Sequence, residues 1–456
     1  MNSMSRLLIC NIGNRDILLP MELLPVELHK ASHRDKIKYI RTNKPKIGSS
    51  LQITMIKKVI DYLESDSIDW ILLFGTQQAN PNYQPTDTFE AAELMRELLI
   101  ERWNFRPERV LAHAVPVNPT RQNELIRFYE AQLTQYDSQI QPSQVFLEVT
   151  GGTPAMSNAL QLAGTEMFQA RAIALYVTPD SMLPERLSIG RRILGGPLRK
   201  LIQANLTTFQ YHAALDSWHL YRPYFTDLQS ESSAKIIEGM LAHAAARVNL
   251  DVPRAILAIR DLVGLADGLY DVMIHELYNA LTPLSHENAL AEVLALAEIR
   301  LQSNNYADFL TQLVRYVENS LRLVCLYLNV PFINWQGKAD PHGARVDDNW
   351  LKQQRIGTIK IGQSGLQRLL SMYAPNDPQV QLVLKFAKTC QPLIELRNEI
   401  THSLGGVSQT QIEQAFGDSA SGILSYIHHN YQQLTQRSLN HNPYHTINQW
   451  INQLLQ

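Results

Sequence analysis

Two short stretches of this sequence hold residue types suited to chemistry. Near the C-terminal end, Arg397-Asn398-Glu399-Ile400-Thr401-His402 puts a guanidinium and an imidazole on one segment with four residues between them. RNA can be cleaved without a metal when the ribose 2′-OH attacks its own 3′-phosphate. A histidine near neutral pKa can move that proton, and an arginine can stabilise charge building on the phosphoryl oxygens. On an ideal helix the two positions diverge. Gly405-Gly406 predicts that the helix ends just beyond His402. A loosened last turn could then join the two side chains, or a second subunit could supply the partner. The spacing by itself is common, and a solvated helix end has the same residues. Arg106 and His113 are set aside because they bridge a helix end and an apolar, strand-like run.

The second stretch is more specific. Phe146-Leu147-Glu148-Val149 reads as a buried strand and runs straight into Thr150-Gly151-Gly152-Thr153-Pro154-Ala155-Met156. Thr153 is placed to cap a helix and Pro154 to occupy its first turn. Free N–H groups and the helix dipole make such a turn an anion-binding end. It is neither of the common phosphate-loop patterns and no lysine follows, so hydrolysis of a nucleoside triphosphate is not suggested. Asn11-Ile12-Gly13-Asn14-Arg15-Asp16 forms a similar polar turn after the first apolar run, and Gly75-Thr76-Gln77-Gln78 follows the second. Each alone could be an ordinary βα turn.

The elements that must position these residues differ between the two halves. Up to about residue 190, apolar runs alternate with amphipathic stretches. The runs are Leu7–Cys10, Trp70–Phe74, Val110–Val115, Val145–Val149 and Ile173–Val177. The stretches are Leu51–Leu63, Phe89–Trp103, Glu124–Tyr136 and Ala155–Phe168. That alternation predicts a parallel sheet covered on both faces, with an extra strand at Ile37–Ile40. Right-handed crossovers would bring the three polar loops to one sheet edge, where open α/β sheets bind ligands.

After Gly195-Gly196-Pro197 the texture turns helical, and no convincing strand pair follows. Ala289–Leu301 and Asp308–Leu328 read as a helical hairpin. Residues 336–365 read as a long loop or irregular insertion, and helical texture returns at Val380–His402, Thr410–Gln433 and His445–Leu455. The expected boundaries are 1–195, 196–300 and 301–456.

The bulk properties fit an ordinary globular protein. The chain has 456 residues, 45% hydrophobic and 18% charged, with a net charge of −2, which argues against binding nucleic acid by bulk electrostatics. A local basic patch would still serve a cleaving site. Cys10, Cys325 and Cys390 lie far apart, which fits a reducing cytoplasm and no zinc site. His428-His429 and His441/His445 lack a companion cysteine or carboxylate at ligand spacing and read as surface residues. No apolar run is long enough to span a membrane, and no metal is expected.

The turn Asn11–Asp16 and the segment Glu148–Met156 together resemble the two signature loops of CARF domains, the Rossmann-like sensors of CRISPR-associated proteins. Arg397-Asn398…His402 resembles the HEPN ribonuclease motif. The order of CARF, helical connector and HEPN is similar to that of the Csm/Csx ancillary ribonucleases of type III CRISPR systems, over nearly the whole chain. The resemblance implies an α/β sensor followed by an all-α connector and an all-α HEPN domain. It implies a homodimer in which a cyclic oligoadenylate, with cyclic tetra-adenylate the preferred ring, bridges two sensors. Its pocket would be lined by Asn11, Gly13, Asn14, Arg15, Asp16, Gly75, Thr76, Thr150, Gly151, Gly152, Thr153 and Met156.

It further implies a paired HEPN site of Arg397 and His402, oriented by Asn398. That site would cut single-stranded RNA without metal and leave 2′,3′-cyclic phosphates. Some CARF domains also cleave their activator slowly, a role that would fall here to Thr150, Thr153 and Asn11. The competing readings are a ligand-sensing regulator without catalysis, a nucleotide-dependent metabolic enzyme and a metal-dependent nuclease. Neither a dinucleotide fingerprint nor an acidic nuclease constellation supports the last two.

Overall fold

The five apolar runs pair side by side, and the pairing explains their composition. A computed structural model describes residues 5–18, 20–178, 180–225, 231–263, 269–282, 285–402, 405–439 and 441–456, without the side chains of Arg191, Leu269 and His402. The chain divides into two compact units, residues 1–198 with 223–228 and residues 199–222 with 229–456.

The strands of the first unit are β1 (Arg6–Asn11), β2 (Ile17–Leu18), β3 (Gln52–Ile53), β4 (Trp70–Thr76), β5 (Val110–Val115), β6 (Gln144–Glu148), β7 (Ala172–Tyr176) and β8 (Glu185–Leu187). Six of them form one sheet in the order β5-β4-β1-β6-β7-β8. All pairs are parallel except β7 with β8. Alternation along β1 divides its side chains between two cores. Leu7 and Ile9 join one, Leu8 and Cys10 the other, and all four are fully buried. Burying each such leucine or isoleucine contributes about 1.5–3 kcal/mol, so a run with no polar residue is what a central parallel strand requires.

The helices are α1 (His33–Thr42), α2 (Lys44–Ile47), α3 (Met55–Leu63), α4 (Phe89–Trp103), α5 (Gln122–Ile140) and α6 (Pro154–Phe168). Buried residues of α1, α3 and α4 complete one core, and those of α5 and α6 the other. The chain leaves β1 in one direction towards β4 and β5 and returns on the other side as β6 and β7. The gap between β1 and β6 is therefore the switch point of the sheet, where its ligand crevice belongs.

Ile37–Ile40 does not form the expected strand. It lies in α1, capped by Ser32, whose hydroxyl accepts from the Asp35 N–H. Ile37 and Ile40, three residues apart, bury one helix face. The added strands of that connection are instead the short antiparallel pair β2 and β3.

The second unit is built from helices. They begin with α7 (Gly196–Thr207), α8 (Tyr211–Phe225), α9 (Glu231–Arg247), α10 (Val252–Arg260) and α11 (Leu269–Leu281). The expected hairpin follows as α12 (His286–Gln302) and α13 (Tyr306–Tyr327). Then come α14 (Asp348–Gln353), α15 (Gln363–Tyr373), α16 (Pro378–Thr389) and α17 (Gln391–His402). The last three are α18 (Gln409–Phe416), α19 (Ala420–Thr435) and α20 (Pro443–Leu454).

One expectation fails here and the others are refined. A strand pair does exist, β9 (Phe332–Ile333) with β10 (Arg345–Val346), each only two residues long. The segment 336–365 contains β10 and α14 as well as loop. Val380–His402 is two helices, broken at Cys390 ahead of Pro392, and Thr410–Gln433 is two, restarted by the Ser419 cap.

A buried charge network ties α9, α12 and α20 together. Arg247 donates twice to Glu292, from Nη2 at 2.7 Å and Nε at 2.9 Å. The Tyr444 hydroxyl donates to the same carboxylate at 2.6 Å. His243 binds the Ala255 carbonyl through Nδ1, and burial pushes its pKa down to about 4, so it stays neutral beside the guanidinium.

Candidate functional site

The loops after β1, β4 and β6 converge on a cavity of about 480 Å3 at the switch point. Gly13, Asn14, Arg15, Asp16, Thr76, Thr150, Gly151, Gly152, Thr153 and Met156 all line it. The volume falls in the range of about 300–1,000 Å3 usual for small-molecule sites. Among the described residues that line it, Arg15 is the one base and is exposed, whereas Asp16 is the one carboxylate and is buried.

The two central loops fit into one another because glycine stands where they meet. A Cβ on Gly151 would lie 1.9 Å from the Asn11 carbonyl oxygen, and one on Gly13 would lie 3.0 Å from the Gly152 nitrogen. Buried carboxyls hold both turns. Glu148 accepts from the N–H groups of Thr150 at 2.8 Å and Gly151 at 3.4 Å. Asp16 accepts from the Gly13 N–H at 2.6 Å. Burial raises Asp16 to about 6. It raises Glu148 to about 7, with the charge of Asp16 adding to the effect.

Thr153 caps α6 as expected. Its hydroxyl oxygen accepts from the Met156 N–H at 3.2 Å and its proton goes to the Pro119 carbonyl at 2.5 Å. The Thr150 hydroxyl oxygen accepts from the Val177 N–H at 2.7 Å.

Two expected residues stand apart from the cavity lining. Asn11 lies behind the loops, where its Oδ1 accepts from the Tyr129 hydroxyl at 2.6 Å. Its Nδ2 is buried without a partner among the described residues. Gly75 packs against the start of α4, where a Cβ would lie 2.7 Å from the Thr88 carbonyl oxygen. Its glycine serves helix–strand approach, not ligand approach.

The cavity also has walls, among them Thr88, Tyr176 and Val177, that sequence reasoning did not assign. Thr76 and Thr88 exchange hydrogen bonds, each backbone N–H donating to the other's hydroxyl at 3.0 Å. Gln78 is fixed by Asp87 through its N–H at 3.0 Å and its side-chain amide at 3.3 Å. Tyr176 and Val177 close the far side, and Met55 and Pro119 contribute edges. The position of Tyr176 and Val177 at the end of the fifth apolar run was a signal available from the same edge argument.

In the second unit, α17 carries Arg397 and Asn398. Leu393 and Ile394 bury one face of this helix. Arg397 is half-buried and Asn398 exposed. Arg397 Nη1 donates to Asn398 Oδ1 at 3.2 Å, and its Nε is buried without a partner among the described residues. The helix is described as far as His402, which agrees with the expected end before Gly405-Gly406. The His402 side chain lies outside the described residues, and its geometry towards Arg397 with it.

Cys10, Cys325 and Cys390 are free and buried. Among the described residues no group of three or more His, Cys, Asp or Glu could hold a metal, and no helix is long and apolar enough to cross a membrane. His428 does have a carboxylate partner, since its Nε2 lies 3.4 Å from Glu298 Oε2. That pairing comes from a distant helix, so local spacing could not reveal it.

The sheet order and the switch-point cavity define a Rossmann-like α/β fold, followed by a predominantly helical unit. The sequence matches no family model and no curated protein. Among solved structures the chain is similar to Enterococcus italicus Csm6 bound to cyclic hexa-2′-fluoro-hexa-dAMP. The TM-score is 0.62 at 13% identity, covering 99% of this chain and 100% of that one. At that identity the likeness is one of fold alone, a parallel-dominated sheet followed by many helices.

Proposed function

We propose that this protein is a cyclic-oligoadenylate-activated endoribonuclease that cuts single-stranded RNA without metal in type III CRISPR antiviral defence. The observation that carries the reading is the fold likeness, along the whole chain, to a protein bound to a cyclic oligoadenylate analogue. The switch-point cavity supports the ligand class. Arg15 suits a phosphodiester, while Gln78 and the threonines suit base edges.

The connector is assigned to 196–300 and the HEPN domain to 301–456. A ring of four to six adenylates exceeds one such cavity, and a two-fold ligand suits a two-fold assembly, so the working species is a homodimer. The ring must bind one arrangement of that dimer better than another to switch it. In the paired HEPN site His402 moves protons, Arg397 stabilises the phosphoryl charge and Asn398 orients Arg397. Turnover of the ring by the sensor would fall to Thr150 and Thr153, since Asn11 is buried behind the cavity lining and holds Tyr129.

The test is cleavage of a fluorogenic single-stranded RNA in EDTA, with cyclic tetra-adenylate, cyclic hexa-adenylate or neither, beside His402→Ala. Ring-dependent, EDTA-resistant cleavage that vanishes in the variant is expected. The two rings decide size, and chromatography of each ring in the same samples reads turnover. Tight ring binding without cleavage would instead make the protein a ligand-sensing regulator.

A further inference from the structure

The cavity wall after β4 holds a side chain whose orientation is forced. Gln78 lines the cavity and is 8% exposed. Asp87 stands behind it, buried and outside the lining. The two oxygens of Asp87 take two donors from Gln78. Oδ2 accepts from its backbone N–H at 3.0 Å, and Oδ1 accepts from its side-chain Nε2 at 3.3 Å. A carboxylate accepts and cannot donate. The Gln78 amide must therefore turn Nε2 towards Asp87, because the flipped amide would set Oε1 against an oxygen. Oε1 has no hydrogen-bond partner among the described residues.

The loop that carries this pair is itself pinned. Gln84 Nε2 donates to the carbonyls of Gln78 at 3.3 Å and Ala79 at 3.4 Å, and its Oε1 accepts from Arg34 Nη1 of α1 at 3.2 Å. The exchange between Thr76 and Thr88 ties the two ends of the loop together. Gln78 thus offers a ligand a fixed acceptor, Oε1, beside the second proton of Nε2. Among purines adenine answers that pattern, with an amino donor next to a ring-nitrogen acceptor. Hypoxanthine and guanine carry a carbonyl oxygen in place of the amino group. That oxygen would face Oε1 with no proton between them.

We propose that Gln78, aimed by Asp87, selects adenine at one position of the ring ligand. This rests on the cyclic-oligoadenylate reading and adds to it the residue that tells adenine from other purines. Asp87 is a positioning residue, since it acts on the ligand only through Gln78.

The same geometry predicts an inverted specificity. In Asp87→Asn one oxygen remains for the Gln78 N–H, which can only donate, so the new Nδ2 faces the Gln78 side chain. The Gln78 amide must then turn Oε1 towards Nδ2 and Nε2 into the cavity, where a donor suits a carbonyl oxygen. The test is calorimetric titration of the full-length protein with cyclic tetra- and hexa-adenylate and with the matching inosinate rings. The parent should prefer adenylate to inosinate by about 5–150-fold for each such contact. Asp87→Asn should bind inosinate rings more tightly than the parent does, and Gln78→Ala should bring the two bases close to equal affinity. A purely structural role for the pair would weaken both rings alike and leave their ratio unchanged. That result, or a parent that binds the two bases equally, overturns the selection. A parent that binds no ring of either base means that the ring reading itself has failed, and the assignment of Gln78 with it.

Discussion

Asp16, in the loop after β1, and Glu148, at the end of the neighbouring strand β6, are both buried, and each carboxyl occupies backbone N–H groups that line the same cavity. A phosphodiester entering that cavity meets donors already taken by the protein's own acids. Burial pushes Asp16 to about 6 and Glu148 to about 7, above the usual carboxyl range. The Cys10 thiol, paired in register with Glu148, is raised as well.

The sign of the resulting pH dependence follows from proton counting. A carboxyl with a raised folded-state pKa binds more protons folded than unfolded between about pH 4 and 7, so stability falls as pH rises through that window. The same protons favour an anionic ligand. Native-state hydrogen exchange should show β1 and β6 amides less protected at pH 8 than at pH 5.5, by on the order of 2 kcal/mol. Cyclic oligoadenylate affinity should weaken in the same direction. Glu148→Gln keeps an acceptor for the Thr150 N–H and should flatten both profiles. Equal slopes in the parent and the variant would remove Glu148 from the account.

Gly151 allows a sharper test of the loop contact. Its Cβ would stand 1.9 Å from the Asn11 carbonyl oxygen, a backbone atom that cannot step aside alone. Gly151→Ala should destabilise the first unit by about 1–3 kcal/mol, the usual cost of overpacking. It should also abolish ring binding while the helical unit keeps its exchange protection. Calorimetric titration with cyclic tetra- and hexa-adenylate reads the first effect and exchange the second. Ring binding of parental strength would show that the two loops do not need this contact.

What could be read from the sequence follows from how far apart the cooperating residues lie. The segment from Phe146 to Met156 was legible because strand, turn, cap and helix are contiguous, and Thr153 caps its own helix. The walls built by Thr88 and Asp87 were not. They serve Thr76 and Gln78 across a loop whose path only the folded chain defines. Ile37–Ile40 failed because a four-residue stretch with isoleucine at each end fits a strand or one helical turn equally well. The pair β9 and β10 was too short to leave a pattern. Glu148 stood within the recognised motif, yet its role as a buried acceptor follows from burial, which a local pattern does not report.

The Arg247–Glu292 pair is a distant case of the same kind, since it joins two helices and the C-terminal helix through Tyr444. Both charges are buried, so their worth depends on being together. Arg247→Met leaves Glu292 charged and enclosed and should destabilise the helical unit by about 3–5 kcal/mol. Arg247→Met with Glu292→Leu should recover much of that loss. Denaturant titrations of the single and double variants, followed by exchange within α9 and α12, give the coupling directly. A double variant as unstable as the sum of its singles would show that the two side chains act independently.

Arg397 is where the ribonuclease reading is most exposed to test. Its guanidinium uses Nη1 on Asn398 and keeps Nε buried without an acceptor among the described residues. A planar fork held in this way can meet two phosphoryl oxygens, whereas a lysine offers one point charge. Arg397→Lys should therefore fail almost as badly as Arg397→Ala, each losing about 10²–10³ in kcat, as expected for removal of a donor to developing charge. Asn398→Ala removes only the partner that aims the fork and should cost roughly 10-fold or less, in kcat more than in KM. Ring affinity should not change in any of the three, because Arg397 and Asn398 lie outside the unit that holds the cavity. Single-turnover cleavage with saturating ring separates the cases. A lysine variant that cuts at close to the parental rate would mean that charge alone suffices, and that the fork at Arg397 serves the fold of α17 instead of the transition state.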